Sequence, residues 1–158
     1  MDAAVGRRVL PPRFLGALGP RMVELAATAT DGLHTYFCPV AHTAATRAAV
    51  GPAAWIAPTQ LVALSGAWPD AAREYLGFCL AMPNYRNNLH RYGFTDAELN
   101  TADDRLLDAL VVPDEPEALA ARVAAHQAAG ADHVVLQFIP PPRAQVVLDR
   151  ITTGPLAP

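Results

Sequence analysis

The stretch Arg13–Ala26, RFLGALGPRMVELA, changes character at its middle. Phe14–Ala17 is a short apolar run of strand type. From Pro20 onward, Met22, Val23, Leu25 and Ala26 recur with the spacing of an apolar helix stripe. Between the two lie Gly16 and Gly19, and glycine lets another backbone or a ligand come close. Proline suits the first helical position, where its missing N–H has no partner to lose. The stretch therefore reads as strand, tight turn, helix. A helix start behind a small-residue turn presents free N–H groups and the positive end of the helix dipole, which suits a phosphate. The same residues also make an ordinary βα turn, and the local sequence does not separate the two.

The pattern repeats outward. Asp31-Gly32 ends the helix predicted over Pro20–Thr30, and Leu33–Phe37 (LHTYF) reads as a second strand. Thr43–Val50 is an alanine-rich helix closed by Gly51-Pro52. Trp55–Leu64 reads as a third strand, in which Pro58 predicts a bulge or an irregular start. Helices follow over Pro69–Leu80, within Met82–Phe94, over the amphipathic Asp104–Val111 and over Pro116–Ala129, the last closed by Gly130. Asp132–Ile139 is the fourth strand and Pro142–Thr152 the last helix. Residues 1–12 are expected to be a flexible lead-in, 13–152 one domain and 153–158 a flexible tail. Alternating strands and helices predict an α/β fold with a parallel sheet. The near-continuous apolar strands suit burial on both faces. The helical elaboration Pro69–Ala129 is far longer than a crossover needs, and such excess sits at a functional face or an interface. Four βα units fit half of an eightfold barrel or a small open sheet, and periodicity does not choose between them.

Of the 158 residues, 52% are hydrophobic and 17% charged, against roughly 25% charged in an average globular protein. The chain is rich in core material and short of charge for a surface, so part of its surface is expected to be covered. A net charge of −3 without a basic stripe excludes nucleic acid as the expected partner. Two cysteines make no disulfide framework. MDAAVGRRVLPP at the start has no apolar signal region. The uncharged stretch Ala48–Pro69 is broken by Gly51, Pro52, Pro58 and Gly66, so it does not predict a membrane helix. The expectation is a cytoplasmic protein without membrane contact.

Four phrases taken together, FLGALGPRMVELAATATDGLHTY (14–36), MPNYRNNLHRYGF (82–94), DRLLDALV (104–111) and AGADHVVLQ (129–137), resemble the luciferase-like monooxygenases. The branch resembled is the oxidoreductases that use the deazaflavin coenzyme F420. The resemblance runs from about Arg13 to Phe138. It implies the C-terminal half of a (β/α)8 TIM-type barrel, with hydride transfer between the deazaflavin and an organic substrate. Flavin mononucleotide (FMN), used by relatives with a similar barrel, is the alternative cofactor. The resemblance further implies that the first βα turn binds the cofactor's phosphate through the N–H groups of Ala17, Leu18, Gly19 and Arg21. Pro20, which has no N–H, starts the helix. Thr35, at the end of the next strand, is implied as a hydroxyl donor and His34 as its neighbour. The family's first four βα units, with the ring cradle and the usual substrate contacts, have no counterpart here, so no catalytic residue is carried over.

An open half-barrel has edge strands at Phe14 and Val134, and inner side chains such as Leu15, Val135 and Phe138 would lack the opposite half of their core. The expected partner is a second copy or a complementary N-terminal half-barrel chain. The alternative function is a non-catalytic half-barrel, serving assembly or surviving as a remnant.

Other constellations carry less. His34, Cys38 and His42 are spaced by four, but Pro39 breaks the helix that would align them, and no metal site is predicted. Cys38 and Cys79 read as buried small apolar residues. NYRNNLHRYGF gathers Arg86, His90 and Arg91 with Tyr85 and Tyr92, either as a lid or as a solvated helix end. His133 reads as a core histidine on a strand and His126 as a surface residue. No Ser-His-Asp or Cys-His pattern indicates nucleophilic catalysis.

Overall fold

The computed structural model describes residues 11–64 and 68–139. The last helix expected at Pro142–Thr152, the tail, and residues 1–10 of the expected lead-in lie outside them. In chain order the elements are β1 (Phe14–Gly16), α1 (Pro20–Ala29), β2 (Gly32–Thr35), α2 (Val40–Val50) and β3 (Trp55–Ala63). A block of four helices follows: α3 (Asp70–Leu80), α4 (Pro83–Arg91), α5 (Asp96–Thr101) and α6 (Asp104–Leu110). The described chain closes with β4 (Val111–Pro113), α7 (Pro116–Ala128) and β5 (Val135–Ile139).

All strand pairs are parallel. β1 pairs with β2, β2 with the first half of β3, and β5 with Thr59–Ala63 of β3. The three-residue β4, which the sequence did not suggest, pairs with Leu61–Ala63 of β3. Pro58 causes no bulge. It lies inside a continuous strand, at the hand-over where pairing with β2 ends and pairing with β5 begins.

Two faces follow from the two-residue period of the strands. Leu15, Leu33 and Ile56 pack with Ala17, Val23 and Ala26 on the face covered by α1. On the same face Val62, Val112, Leu136 and Phe138 meet Leu119 and Val123 of α7. Leu15 and Phe138 are therefore turned toward helices, not inward as the sequence suggested. The inner face carries Leu61, Ala63 and Ile139, which the α3–α6 block covers through Leu76, Leu89, Leu99, Leu106 and Leu110. The excess of helix between β3 and β4 thus closes the C-terminal end of the inner face. Near the strands' N-terminal ends that face is open, where Phe14 is 45% and Trp55 52% exposed, in edge-to-face contact at 6.2 Å. A side chain in place of Gly32 would collide with both.

Local signals explain most boundaries. Pro20, Pro83 and Pro116 each stand in the first turn of a helix. Thr95 and Glu98 form a reciprocal capping box on α5, and Asp103 caps α6 through the Leu106 N–H at 2.9 Å. At the strands' N-terminal ends Arg47 ties three segments together. Its guanidinium donates to the carbonyls of Gly51, Ala54 and Gly130 and pairs with Asp132, whose carboxylate accepts the Ile56 N–H. No helix among the described residues is long and apolar enough to cross a membrane.

Two histidines depart from expectation. His133 is exposed and precedes β5. His126 is fully buried between α7, α2 and β3. Its Nδ1 accepts the Thr43 hydroxyl at 2.9 Å and its Nε2–H donates to Gln60 Oε1 at 3.1 Å. Burial, with the Arg122 charge nearby, pushes its pKa down to about 4. The helix is so rich in alanine that its sequence gives little sign of which face is buried.

Candidate functional site

The turn between β1 and α1 opens at the C-terminal end of the sheet. Gly19 is the N-cap of α1, in extended conformation and without a side-chain cap. Its carbonyl accepts the N–H groups of Met22 and Val23 at 3.0 Å each. The N–H groups of Leu18, Gly19 and Arg21 have no acceptor among the described residues. The Ala17 N–H is different, because it donates to the His34 carbonyl at 3.0 Å and so belongs to the sheet. A Cβ placed on Gly16 or Gly19 would meet nothing within 4 Å, so the turn is open to close approach.

One side chain fixes this turn. His42, 2% exposed on α2, donates its Nε2–H to the Leu18 carbonyl at 2.9 Å, and its Nδ1 accepts the Thr46 hydroxyl at 3.2 Å. Burial holds its pKa below the usual histidine value, so the ring is neutral and acts as a strut. Sequence reasoning grouped His42 only with a metal motif and missed this role.

The neighbours His34 and Thr35 point to opposite faces. His34 lies on the inner face, where its Nδ1–H donates to the Ala57 carbonyl at 2.9 Å and its Nε2 accepts the Thr59 hydroxyl at 3.2 Å. Thr35 is fully buried, and its hydroxyl lies near the Cys38 thiol with no hydrogen-bond partner among the described residues. The structure therefore brings Leu18, Gly19 and Arg21 together at an open turn and leaves the Thr35 hydroxyl outside it. Among the described residues no group of three His, Cys, Asp or Glu side chains is placed to hold a metal. Cys38 donates its thiol to the Tyr36 carbonyl at 3.0 Å, and burial raises its pKa.

A cleft of about 650 Å³ runs from this turn between α1 and α2. Leu18, Pro20 and His42 line it, and Asn88, Arg91 and Tyr92 reach it from the end of α4. Arg86 and His90 are tied to Asp96 at the start of α5. Arg91 has only a long contact to Asn88, at 3.5 Å, and no carboxylate among the described residues. The segment NYRNNLHRYGF is thus a helix packed through Asn88 and Leu89, with one arginine directed to the cleft.

No family profile and no curated protein matches the chain. Solved structures do. The coenzyme F420 dependent tetrahydromethanopterin reductase from Methanopyrus kandleri superposes with a TM-score of 0.71 at 14% identity, over 90% of this chain and 49% of its own. An F420-dependent secondary alcohol dehydrogenase, solved with an F420-acetone adduct, gives 0.58 at 17% identity, over 92% of this chain and 48% of its own. The chain has the fold of one half of a luciferase-like TIM barrel. It spans about half the length of the structures it matches. The half-barrel, not a small open sheet, is therefore the architecture. In such barrels the rim at the C-terminal ends of the strands carries the active site. The β1–α1 turn, the end of β2 and the helical block over the inner face all lie at that end of this sheet.

Proposed function

We propose that the chain is part of an F420-dependent oxidoreductase and supplies the rim that binds the cofactor's phosphate. The observation that carries this reading is the open β1–α1 turn with three N–H groups free among the described residues. The turn fits a phosphate. Unpartnered donors converge at the start of a helix, the glycines leave room for close approach, and Arg91 lines the same cleft. Leu18, Gly19 and Arg21 donate their N–H groups to the anion, and Pro20 fixes the start of α1. His42 sets the angle of the turn from behind. His34 is held on the inner face, where it borders the space the cofactor's ring system would enter from the rim. Bound deazaflavin would supply the carbon that gives or takes a hydride, and the protein's part is to position it.

The open inner face bears on assembly. We take the exposed pair Phe14 and Trp55 to be covered by a second half-barrel, either another copy or a separate chain that completes the barrel. β1 is paired only to β2, and β5 only to β3, among the described residues. A non-catalytic assembly role rests on this same face. FMN remains the competing cofactor, because a phosphate turn serves either molecule.

The test is a titration of the purified chain with deazaflavin and with FMN, alone and with any complementary half. Saturable binding of the deazaflavin that weakens with added inorganic phosphate supports the reading. Binding of neither cofactor leaves assembly as the function.

A further inference from the structure

The inner face holds a second polar group, away from the phosphate turn. Tyr36 follows β2, Tyr75 stands on α3, and Gln137 lies on the inner face of β5, in register with Leu61. The two phenol groups hydrogen-bond to each other, and Gln137 Nε2 donates to the Tyr75 hydroxyl at 2.7 Å. All three side chains are partly exposed. Resting on the oxidoreductase reading, we propose that Tyr36, Tyr75 and Gln137 form a hydrogen-bonding site for an uncharged acceptor oxygen of the substrate, such as a ketone, aldehyde or alcohol carries.

The donor count leads there. Two phenol O–H groups and the two N–H groups of the amide make four donors. Two of the four are spent within the group, one phenol O–H on the other phenol and one amide N–H on Tyr75, and the acceptors present are the two phenol oxygens, Gln137 Oε1 and, weakly, the Cys79 thiol beside Tyr75. One phenol O–H and one amide N–H therefore remain to offer to a ligand, beside an amide oxygen that can accept. The site is also neutral. No lysine or arginine hydrogen-bonds to it among the described residues, and burial keeps the Tyr36 phenol protonated by raising its pKa. A neutral site with two donors to spare suits a carbonyl or hydroxyl oxygen better than a carboxylate or phosphate, which the cleft with Arg91 would take.

A second observation marks the same place. Phe37, directly after Tyr36, has a φ of 57°. A bulky residue in the left-handed region is an outlier whose cost the surrounding packing must offset, and such residues gather at functional sites. Phe37 is 1% exposed and packs on the Tyr85 ring at 4.9 Å, so the turn that aims Tyr36 is held from below.

The experiment uses 4-(dimethylamino)cinnamaldehyde, an aldehyde whose absorption moves to the red when its carbonyl accepts a hydrogen bond. The full chain should give a saturable red shift. Tyr36→Phe and Tyr75→Phe keep the ring volume, and each should weaken the response about tenfold, the worth of one hydrogen bond. The double variant should lose the shift while still unfolding cooperatively and binding deazaflavin as the parent does. No red shift in the parent, or one that persists in the double variant, overturns the site. The deazaflavin arm is separate: a parent that fails to bind it but gives the tyrosine-dependent shift refutes the oxidoreductase reading and leaves the carbonyl site standing.

Discussion

His42 holds the Leu18 carbonyl at 2.9 Å across 24 residues of sequence. The bond joins the body of α2 to the turn in front of α1, and it leaves the Leu18 N–H on the open side. Truncating this side chain should therefore act on the turn without touching a ligand. His42→Ala removes a donor buried with its acceptor and should cost about 2 kcal/mol of stability. It should also weaken binding of the cofactor at the turn. Urea unfolding and a cofactor titration on the same sample check both; unchanged affinity in the variant would mean that the turn keeps its shape unaided.

His126 makes stability depend on pH. Its pKa is about 4 in the folded protein, against about 6.5 for an unfolded histidine. The fold therefore favours the neutral ring, and the stabilisation is fully present above pH 6.5. It declines as pH falls from 6.5 toward 4, by up to about 3 kcal/mol. His42 shifts in the same direction. Glu98, held down to about 2 by Thr95 and Arg105, stabilises the fold throughout this range, and its contribution is lost only as pH falls below about 4.5. Urea midpoints measured between pH 7.5 and 4.5 should fall in the parent and flatten in His126→Gln. Equal slopes in the two proteins would remove His126 as the cause.

Gly130 is required twice over. Its φ is +99°, and a Cβ there would come within 2.6 Å of the Arg47 side chain. Gly130→Ala should cost more than about 1 kcal/mol and disturb the junction of Gly51, Ala54 and Asp132 that Arg47 holds. A thermal midpoint within error of the parent would show that the junction can give.

The Cys38→Ala, His42→Ala double variant should leave the metal content of the purified protein unchanged, measured by elemental analysis. His42 uses both ring nitrogens, and the Cys38 thiol donates to Tyr36. Stoichiometric zinc in the parent that disappears in the double variant would contradict this.

Much of the architecture could be read from the chain because its signals are local. Pro20 and Pro116 mark helix starts, Gly51 and Gly130 mark helix ends, and the apolar runs at Leu33, Trp55 and Val135 mark strands. Relations between distant segments were not legible. β4 exists because Leu61–Ala63 offers it a partner, and a three-residue strand has too short a period to announce itself. α5 rests on a capping box at Thr95 and one buried leucine, Leu99. His126 is buried because Thr43 and Gln60 meet it, and they lie 83 and 66 residues away. At the candidate site the turn was visible in its glycines. What tells its residues apart was not: the sheet takes the Ala17 N–H and buries Thr35, while His34 turns to the other face. The tyrosine pair combines residues 39 positions apart and had no local signature.

The most direct measurement is an equilibrium titration of the deazaflavin against the parent and Gly19→Val. A Cβ added at Gly19 meets nothing within 4 Å beyond its chain neighbours, and the backbone there is extended, so the substitution should obstruct a molecule that approaches the turn. The account predicts saturable binding by the parent and at least about a tenfold weaker dissociation constant for the variant, the equivalent of about 1.4 kcal/mol, with the fold intact. Equal affinity in the two proteins would contradict it.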